Sequence, residues 1–183
     1  MSDATRSPYD NQVENRNFLS PQGFKLVLNK APKVAFFGNT ANIPSMTLGT
    51  AEQANYLRNI PIPGDKIEFD DFTFRFLVDE GLENYLEIYN WIRGLGYPES
   101  LEEIFDLQSN DPEFKNPDKS MKNIYSDATL QVLTSNYNTA FKVKFKDLYP
   151  YNLSALEFDA TNDDYQYFTA SVSFKYTIYD IET

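Results

Sequence analysis

From Tyr165 to Ile178 the chain alternates between two kinds of side chain with almost no error. Phe168, Ala170, Val172, Phe174, Tyr176 and Ile178 fall on one face, and Tyr167, Thr169, Ser171, Ser173, Lys175 and Thr177 on the other. A period of two sustained over such a length predicts a long β-strand with one face buried. The second face is small and hydroxylic, not studded with Glu and Lys, which suits a surface that lies against another chain or lines a smooth passage. The chain is therefore expected to be built on sheets, and to carry material for assembly.

The rest of the sequence agrees. Phe24 to Asn29 reads as a strand with Phe24, Leu26 and Leu28 inward, Lys30-Ala31-Pro32 as a turn, and Lys33 to Thr40 as a second strand. Lys66 to Val78 reads as a third, with Phe72, Phe74, Phe76 and Val78 pointing one way and Thr73, Arg75 and Leu77 the other. Ala128 to Thr134 and Ala140 to Leu148 flank a turn at Asn136-Tyr137-Asn138. Tyr149-Pro150-Tyr151-Asn152 is expected to break the second of these before a further strand from Leu153 to Phe158. An aromatic fraction of 16%, with 15 Phe and 13 Tyr, favours strands and supplies large contact areas.

One helix interrupts the strands. Leu82, Tyr85, Leu86, Tyr89 and Ile92 recur at three- and four-residue spacing, Ile88 and Trp91 widen the stripe, and Gly94, Gly96 and Pro98 stop it. Phe72, Phe74, Phe76, Tyr85, Leu86, Tyr89 and Trp91 are the expected helix-on-sheet core. Ser100 with Glu103 forms a capping box for a shorter helix through Leu107. The order predicts a mainly β (α+β) fold: two packed antiparallel sheets, a β-sandwich or barrel, with one flanking helix. At 183 residues this is one domain. The divisions expected are a flexible arm over 1–17, a single domain over 18–183, a long connection over 41–65 that is either an extended hairpin or a docking loop, and a polar insert over 97–125.

The chemistry available is narrow. The chain has no Cys and no His, which removes disulfides, thiolate sites, nearly all zinc sites and the commonest general base. No cofactor is expected. Glu68, Asp70 and Glu80 are candidates for carboxylate chemistry, but nothing marks them off from surface acids. Asp70 and Asp71 are neighbours in a strand and face opposite sides, so a turn or bulge explains them better than a convergent pair. A net charge of −11 leaves no footprint for gripping phosphates. Lys142, Lys144 and Lys146, alternating on one strand, read as a solvated or salt-bridging face. No segment is apolar for long enough to span a bilayer, and the start lacks the pattern of a signal peptide, so assembly in a cytoplasm is expected.

Two stretches carry a resemblance. The first is Asn59-Ile60-Pro61-Ile62-Pro63-Gly64-Asp65, then Phe69-Asp70-Asp71-Phe72-Thr73-Phe74, Val78-Asp79-Glu80 and a helix ending in Asn90-Trp91. The second is Phe145-Lys146-Asp147-Leu148-Tyr149-Pro150, then Leu153 to Asp159 and the closing alternating strand. In order and spacing these resemble the tail tube proteins of contractile-tailed bacteriophages. Phe72 and Tyr149 stand where that pattern has Trp, and Phe158-Asp159 replaces Asp-Trp in swapped order.

The resemblance implies a structural subunit, not an enzyme. Subunits of that family form stacked hexameric rings whose strands join an inner β-barrel, a virion conduit for DNA ejection assembled in the host cytoplasm. Its implied partners are further copies of itself, a tail sheath protein, a tape-measure protein, and baseplate and tail terminator proteins, with DNA passing without specific binding. The loop between the second and third strands would reach a neighbouring ring, which points to Thr47, Leu48, Thr50, Gln53, Asn55, Tyr56, Arg58 and Asn59 as stacking residues. Thr169, Ser171, Ser173, Lys175 and Thr177 would line the lumen or a ring contact. A tube initiator or baseplate paralogue and a type VI secretion ring protein share the architecture. A carbohydrate-binding β-sandwich using Tyr9, Tyr56 or Tyr137 as platforms is the alternative from another class.

Overall fold

The computed structural model describes residues 19, 23–96, 98–100, 102–103, 124–134, 136–158 and 167–183. The expected arm over 1–17 lies outside them, as do most of the insert over 97–125 and most of the short helix after Ser100. The elements run β1 (Phe24–Leu28), α1 (Pro32–Phe36), β2 (Gly38–Ala41), β3 (Met46–Gln53), β4 (Ile60–Phe69), β5 (Phe72–Leu77), α2 (Glu83–Gly96), β6 (Ser126–Leu133), β7 (Thr139–Leu153), β8 (Thr169–Lys175) and β9 (Ile178–Glu182).

Two antiparallel sheets pack face to face and share one strand. The first half of β7 lies between β6 and β9, with β1 beyond β6. Its second half pairs with β8, which continues through β5 to β2. Leu26, Leu28, Leu130, Val143 and Phe145 face inward from the first sheet, and Phe72, Phe74, Phe76, Val172 and Phe174 from the second, all essentially buried. Phe72 binds the layers: its ring stacks 4.5 Å from Phe145 across the interface and 5.8 Å from Phe174 beside it. These aromatic contacts add to the area they bury.

The sequence-based expectations need correction where a strand changes partner. Lys33 to Thr40 is not one strand. Pro32 starts the short helix α1, where its fixed φ suits the first turn, and only Gly38–Ala41 pairs, with β5. The expected strand Lys66–Val78 divides at Asp70-Asp71, where a turn or bulge was expected, because β4 pairs with β3 while β5 joins the sandwich. Tyr149 to Asn152 does not break β7. Asp147, at φ 54, turns the strand from one sheet into the other. Pro150 then sits opposite Phe174 beside a bulge, where β7 has a ladder partner on one side, a place that tolerates proline. Residues 154–158 form no strand.

The closing stretch is also divided. β8 ends at Lys175, and β9 resumes at Ile178 in the other sheet, against β7. Ala170, Val172 and Phe174 are buried as the alternation requires, but Phe168 and Ile178 are exposed. Tyr176 and Thr177 make the crossing, so residues beyond them follow a different sheet.

Helix α2 closes an open side of the sandwich along a face shifted from the expected stripe. Asn84, Ile88, Trp91 and Gly94 are buried, Tyr85 and Ile92 partly so, and Leu82, Leu86 and Tyr89 are exposed. Trp91 decides the rotation: its ring lies 6.3 Å from Phe174 and its indole N–H donates to the Ile124 carbonyl at 3.2 Å. Asn84 fixes the other end by donating to the Leu77 carbonyl at 2.7 Å. Asp79 accepts from the N–H groups of Glu83 (3.2 Å) and Asn84 (3.1 Å), satisfying donors that the first turn leaves open. Gly94 does not stop the helix; it lies inside it.

Candidate functional site

The segment over 41–65, expected as an extended hairpin or a docking loop, contains β3 and the first part of β4, which pair as an extended hairpin. Ile60 to Gln53 and Met46 to Phe69 close its two ends, with a register shift near Gly49. A Cβ on Gly64 would come 2.6 Å from the Gly49 carbonyl oxygen, so the backbones approach there because Gly64 lacks a side chain. At the tip, the Asn59 amide donates to Glu52 at 2.7 Å and the Tyr56 N–H to the Asn55 side chain at 2.7 Å.

Both faces of this hairpin meet solvent. Met46, Leu48, Ile60, Ile62 and Ile67 are all exposed, and at the tip Tyr56 and Leu57 are 99% and 90% exposed. A ribbon folded back on the sandwich would bury one face, so this one projects. An isolated two-stranded ribbon is marginal in water, and so many apolar side chains outside a core call for a partner surface. All eight expected stacking residues lie here: Thr47, Leu48, Thr50 and Gln53 on β3, and Asn55, Tyr56, Arg58 and Asn59 in the connection, each exposed.

The base of the hairpin is anchored by residues that the sequence reading treated only as strand. The Tyr176 hydroxyl donates to the Asp70 carbonyl at 2.8 Å, and the Tyr179 hydroxyl to the Pro44 carbonyl at 3.2 Å. Phe69 packs against both rings, at 6.1 and 5.5 Å. The Asp70 N–H donates to the Ser45 carbonyl at 3.1 Å, and Ser45 Oγ donates to the Asp70 carboxylate. Burial, with the neighbouring Tyr179, Asp70 and Asp71 charges behind it, pushes the Tyr176 phenol up to about 12. The signal available in the sequence was the pair of tyrosines three apart where the alternation fails.

A second cluster adjoins it. Asp71 accepts from both Lys175 and the Tyr151 hydroxyl, and the Lys175 ammonium lies 5.4 Å from the Tyr151 ring centre. Hydrogen bonding from Lys175, then from Tyr151, holds the Asp71 carboxyl below its ordinary range, and the same carboxylate raises Lys175 and Tyr151.

The hydroxylic face of the closing strand is partly as expected. Thr169, Ser171, Ser173 and Lys175 share the outer face of β8, in register with Leu77, Arg75, Thr73 and Tyr149 respectively. Thr177 is separate, in the crossing to β9, where its N–H donates to the Lys146 carbonyl at 3.0 Å. Ser171 is half-covered because its backbone exchanges hydrogen bonds with Ser154 at 2.8 and 2.9 Å. Lys144 and Lys146 pair with Glu182 and Asp180 at 2.7 and 3.0 Å, as a salt-bridging face would.

The carboxylates weighed for catalysis are not brought together. Glu68 is exposed on the hairpin and Asp70 sits at its base, while Glu80 follows the far end of β5, about 20 Å away at ~3.3 Å per strand residue. Tyr56 and Tyr137 lie on separate turns, and Tyr9 is outside the described residues.

The comparisons bear on what this arrangement serves. A family model described as phage tail tube protein matches residues 7–182. No curated protein matches the chain. Among solved structures, the chain is similar to one described as the tube-terminating cap of the anti-feeding prophage, with 14% identity, 97% of this chain and 99% of that one covered, and a TM-score of 0.63. It is also similar to a chain of the anti-feeding prophage baseplate (12% identity, 91% and 96% covered, TM-score 0.59). A third is from the sheath–tube complex of an extracellular contractile injection system (13% identity, 91% and 93% covered, TM-score 0.53). At such identities these likenesses speak for the fold.

Proposed function

The chain belongs to the phage tail tube protein family, whose members are structural tube subunits, and from that premise we propose that its copies form hexameric rings stacked into the tube of a contractile tail. The projecting hairpin carries this reading: it has no core of its own, presents apolar side chains on both faces, and is held at its base by Tyr176 and Tyr179. A neighbouring ring supplies the cover it lacks, through Thr47, Leu48, Thr50, Gln53, Asn55, Tyr56, Arg58 and Asn59.

The outer face of β8 is the lumen or ring-contact surface of the proposal, through Thr169, Ser171, Ser173 and Lys175, with Thr177 at its margin. Small hydroxyls give a smooth wall, and a net charge of −11 suits a conduit through which DNA slides without sticking, since a basic wall would hold phosphates. The role requires no catalysis and no cofactor. A sheath around the tube, a tape-measure protein inside it and baseplate and terminator proteins at its ends complete the partners, in a virion tail assembled in the host cytoplasm.

Electron microscopy of the purified protein tests the proposal. The wild type is expected to form rings and tubes at high concentration. Charge reversal or deletion within Thr47–Asn59 leaves a folded chain that no longer stacks; tubes of normal length from such variants would refute the role given to the hairpin.

A further inference from the structure

The hairpin is a sheet of its own, and the joint that carries it lacks a ladder. β3 and β4 form a two-stranded sheet apart from the seven strands of the sandwich. The hairpin ladder ends at Met46 opposite Phe69, while the sandwich ladders begin at Ala41 opposite Phe74 and at Phe72 opposite Phe174. Asn42 is fixed to β5, accepting from the Thr73 N–H at 2.6 Å, so the entering leg turns at residues 43–45. The leaving leg turns at Asp70 and Asp71, which lie between the last hairpin pair and the first sandwich pair. Short joints of this kind are where a rigid arm turns on a rigid body.

Side chains hold this joint from two sides. On the inner side the Tyr176 and Tyr179 hydroxyls donate to the Asp70 and Pro44 carbonyls, and both rings pack on the buried Phe145, 5.2 and 5.9 Å away. On the outer face of the second sheet, Asp71 accepts from Lys175 on β8 and from Tyr151 on β7. The inner contacts are aromatic and half-buried, whereas the outer ones are ionic and reach water, with the Lys175 and Asp71 side chains 51% and 30% exposed. An exposed ion pair is held far less firmly than a packed ring. The two neighbouring carboxylates also differ in what they join. Asp70 accepts from Ser45 Oγ, across the two legs, and so ties the hairpin to itself; Asp71 ties it to the sandwich.

We propose that residues 43–45 and 70–71 form a hinge, with Tyr176 and Tyr179 as its pivot and Asp71 as the positioning residue that latches it at one angle. With the Asp71 carboxylate bonded to Lys175 and Tyr151, the backbone between Asp70 and Phe72 is fixed and the arm keeps one direction. With that carboxylate released, the arm swings on the aromatic pivot. Neither ladder has to break, so the motion is that of one rigid body against another. The use of a fixed angle rests on the tube reading above: an arm already aimed at its partner surface surrenders less orientational freedom when copies associate.

The absence of cysteine from the chain permits a distance measurement. Full-length protein is spin-labelled at Ala51→Cys on the hairpin and Asn90→Cys on α2, both exposed, and pulsed electron spin resonance reads the distance between them in dilute, monomeric chain. The expected result is a narrow distribution for this labelled parent and one about twice as wide once Asp71→Asn is added, because the arm then samples a range of angles. Asp71→Glu, which restores the carboxylate, is expected to return the width to that of the parent. Asp70→Asn, one residue away, is expected to leave it unchanged. A broad distribution in the parent, or a narrow one in Asp71→Asn, overturns the latch. Equal broadening by Asp71→Glu or by Asp70→Asn also overturns it, since the joint would then respond to any altered side chain. Because the distance is read within one chain, failure of the wild type to form rings or tubes would overturn the tube reading alone.

Discussion

At the scale of single residues, the most informative positions are those where a side chain does a task its neighbours cannot share. Tyr176 is one. Its phenol stays neutral in the folded protein until about pH 12, whereas an unfolded chain ionises its tyrosines near pH ~10. The stability tied to that buried group is therefore complete below pH ~10 and lost as pH rises toward 12. Alkaline titration should lose a late-ionising phenol in Tyr176→Phe, and hydrogen exchange at Ser45 and Asp70 should quicken in that variant, since its hydroxyl bond to the Asp70 carbonyl is gone. Gly64 is another such position. Gly64→Ala forces a methyl group against the Gly49 carbonyl; the expected outcome is an unchanged melting temperature for the sandwich, with faster amide exchange confined to β3 and β4.

At the scale of elements, the helix and the hairpin behave as opposites. α2 is anchored at both ends in the core, so Trp91→Ala should cost about 3–5 kcal/mol by loss of a buried indole, measurable as a lowered denaturant midpoint. Asp79→Ala, which removes the acceptor for the first two helical N–H groups, should cost about 1 kcal/mol. Deleting the hairpin should cost the isolated sandwich almost nothing.

What the sequence made legible divides along the same line. Phe72, Phe74 and Phe76 alternate on a strand that keeps one partner on each side, so their burial follows from period alone. The helical stripe was misplaced by one position because Leu82, Leu86 and Tyr89 are as apolar as the true face. Tertiary contacts such as those of Trp91 with Phe174 and Ile124, and of Asn84 with Leu77, set the rotation. The turn expected at Asp70-Asp71 is where β4 gives way to β5, but the changes of sheet at Asp147 and Tyr176 were hidden for a related reason. Each is a change of pairing partner, and a two-residue period carries no information about which strand lies alongside. The segment proposed for stacking pairs as a hairpin through a close approach at Gly49 and Gly64, which no periodicity records.

At the scale of the whole molecule, charge bears on which partners the chain can hold. A net charge of −11 predicts that the purified protein neither shifts duplex DNA on a gel nor gains affinity for it as salt is lowered; retention of DNA at low salt would argue for a basic lumen and against the conduit. β7 matters most at this scale. It runs Thr139–Leu153 without interruption and is hydrogen-bonded into both layers, so the two sheets are fastened by peptide bonds as well as by packed phenylalanines. Tension entering one layer passes to the other along covalent backbone, and the layers cannot peel apart without first tearing a strand out lengthwise. A subunit wired this way resists axial jolts as a single piece and yields at its joints with other subunits before it yields inside.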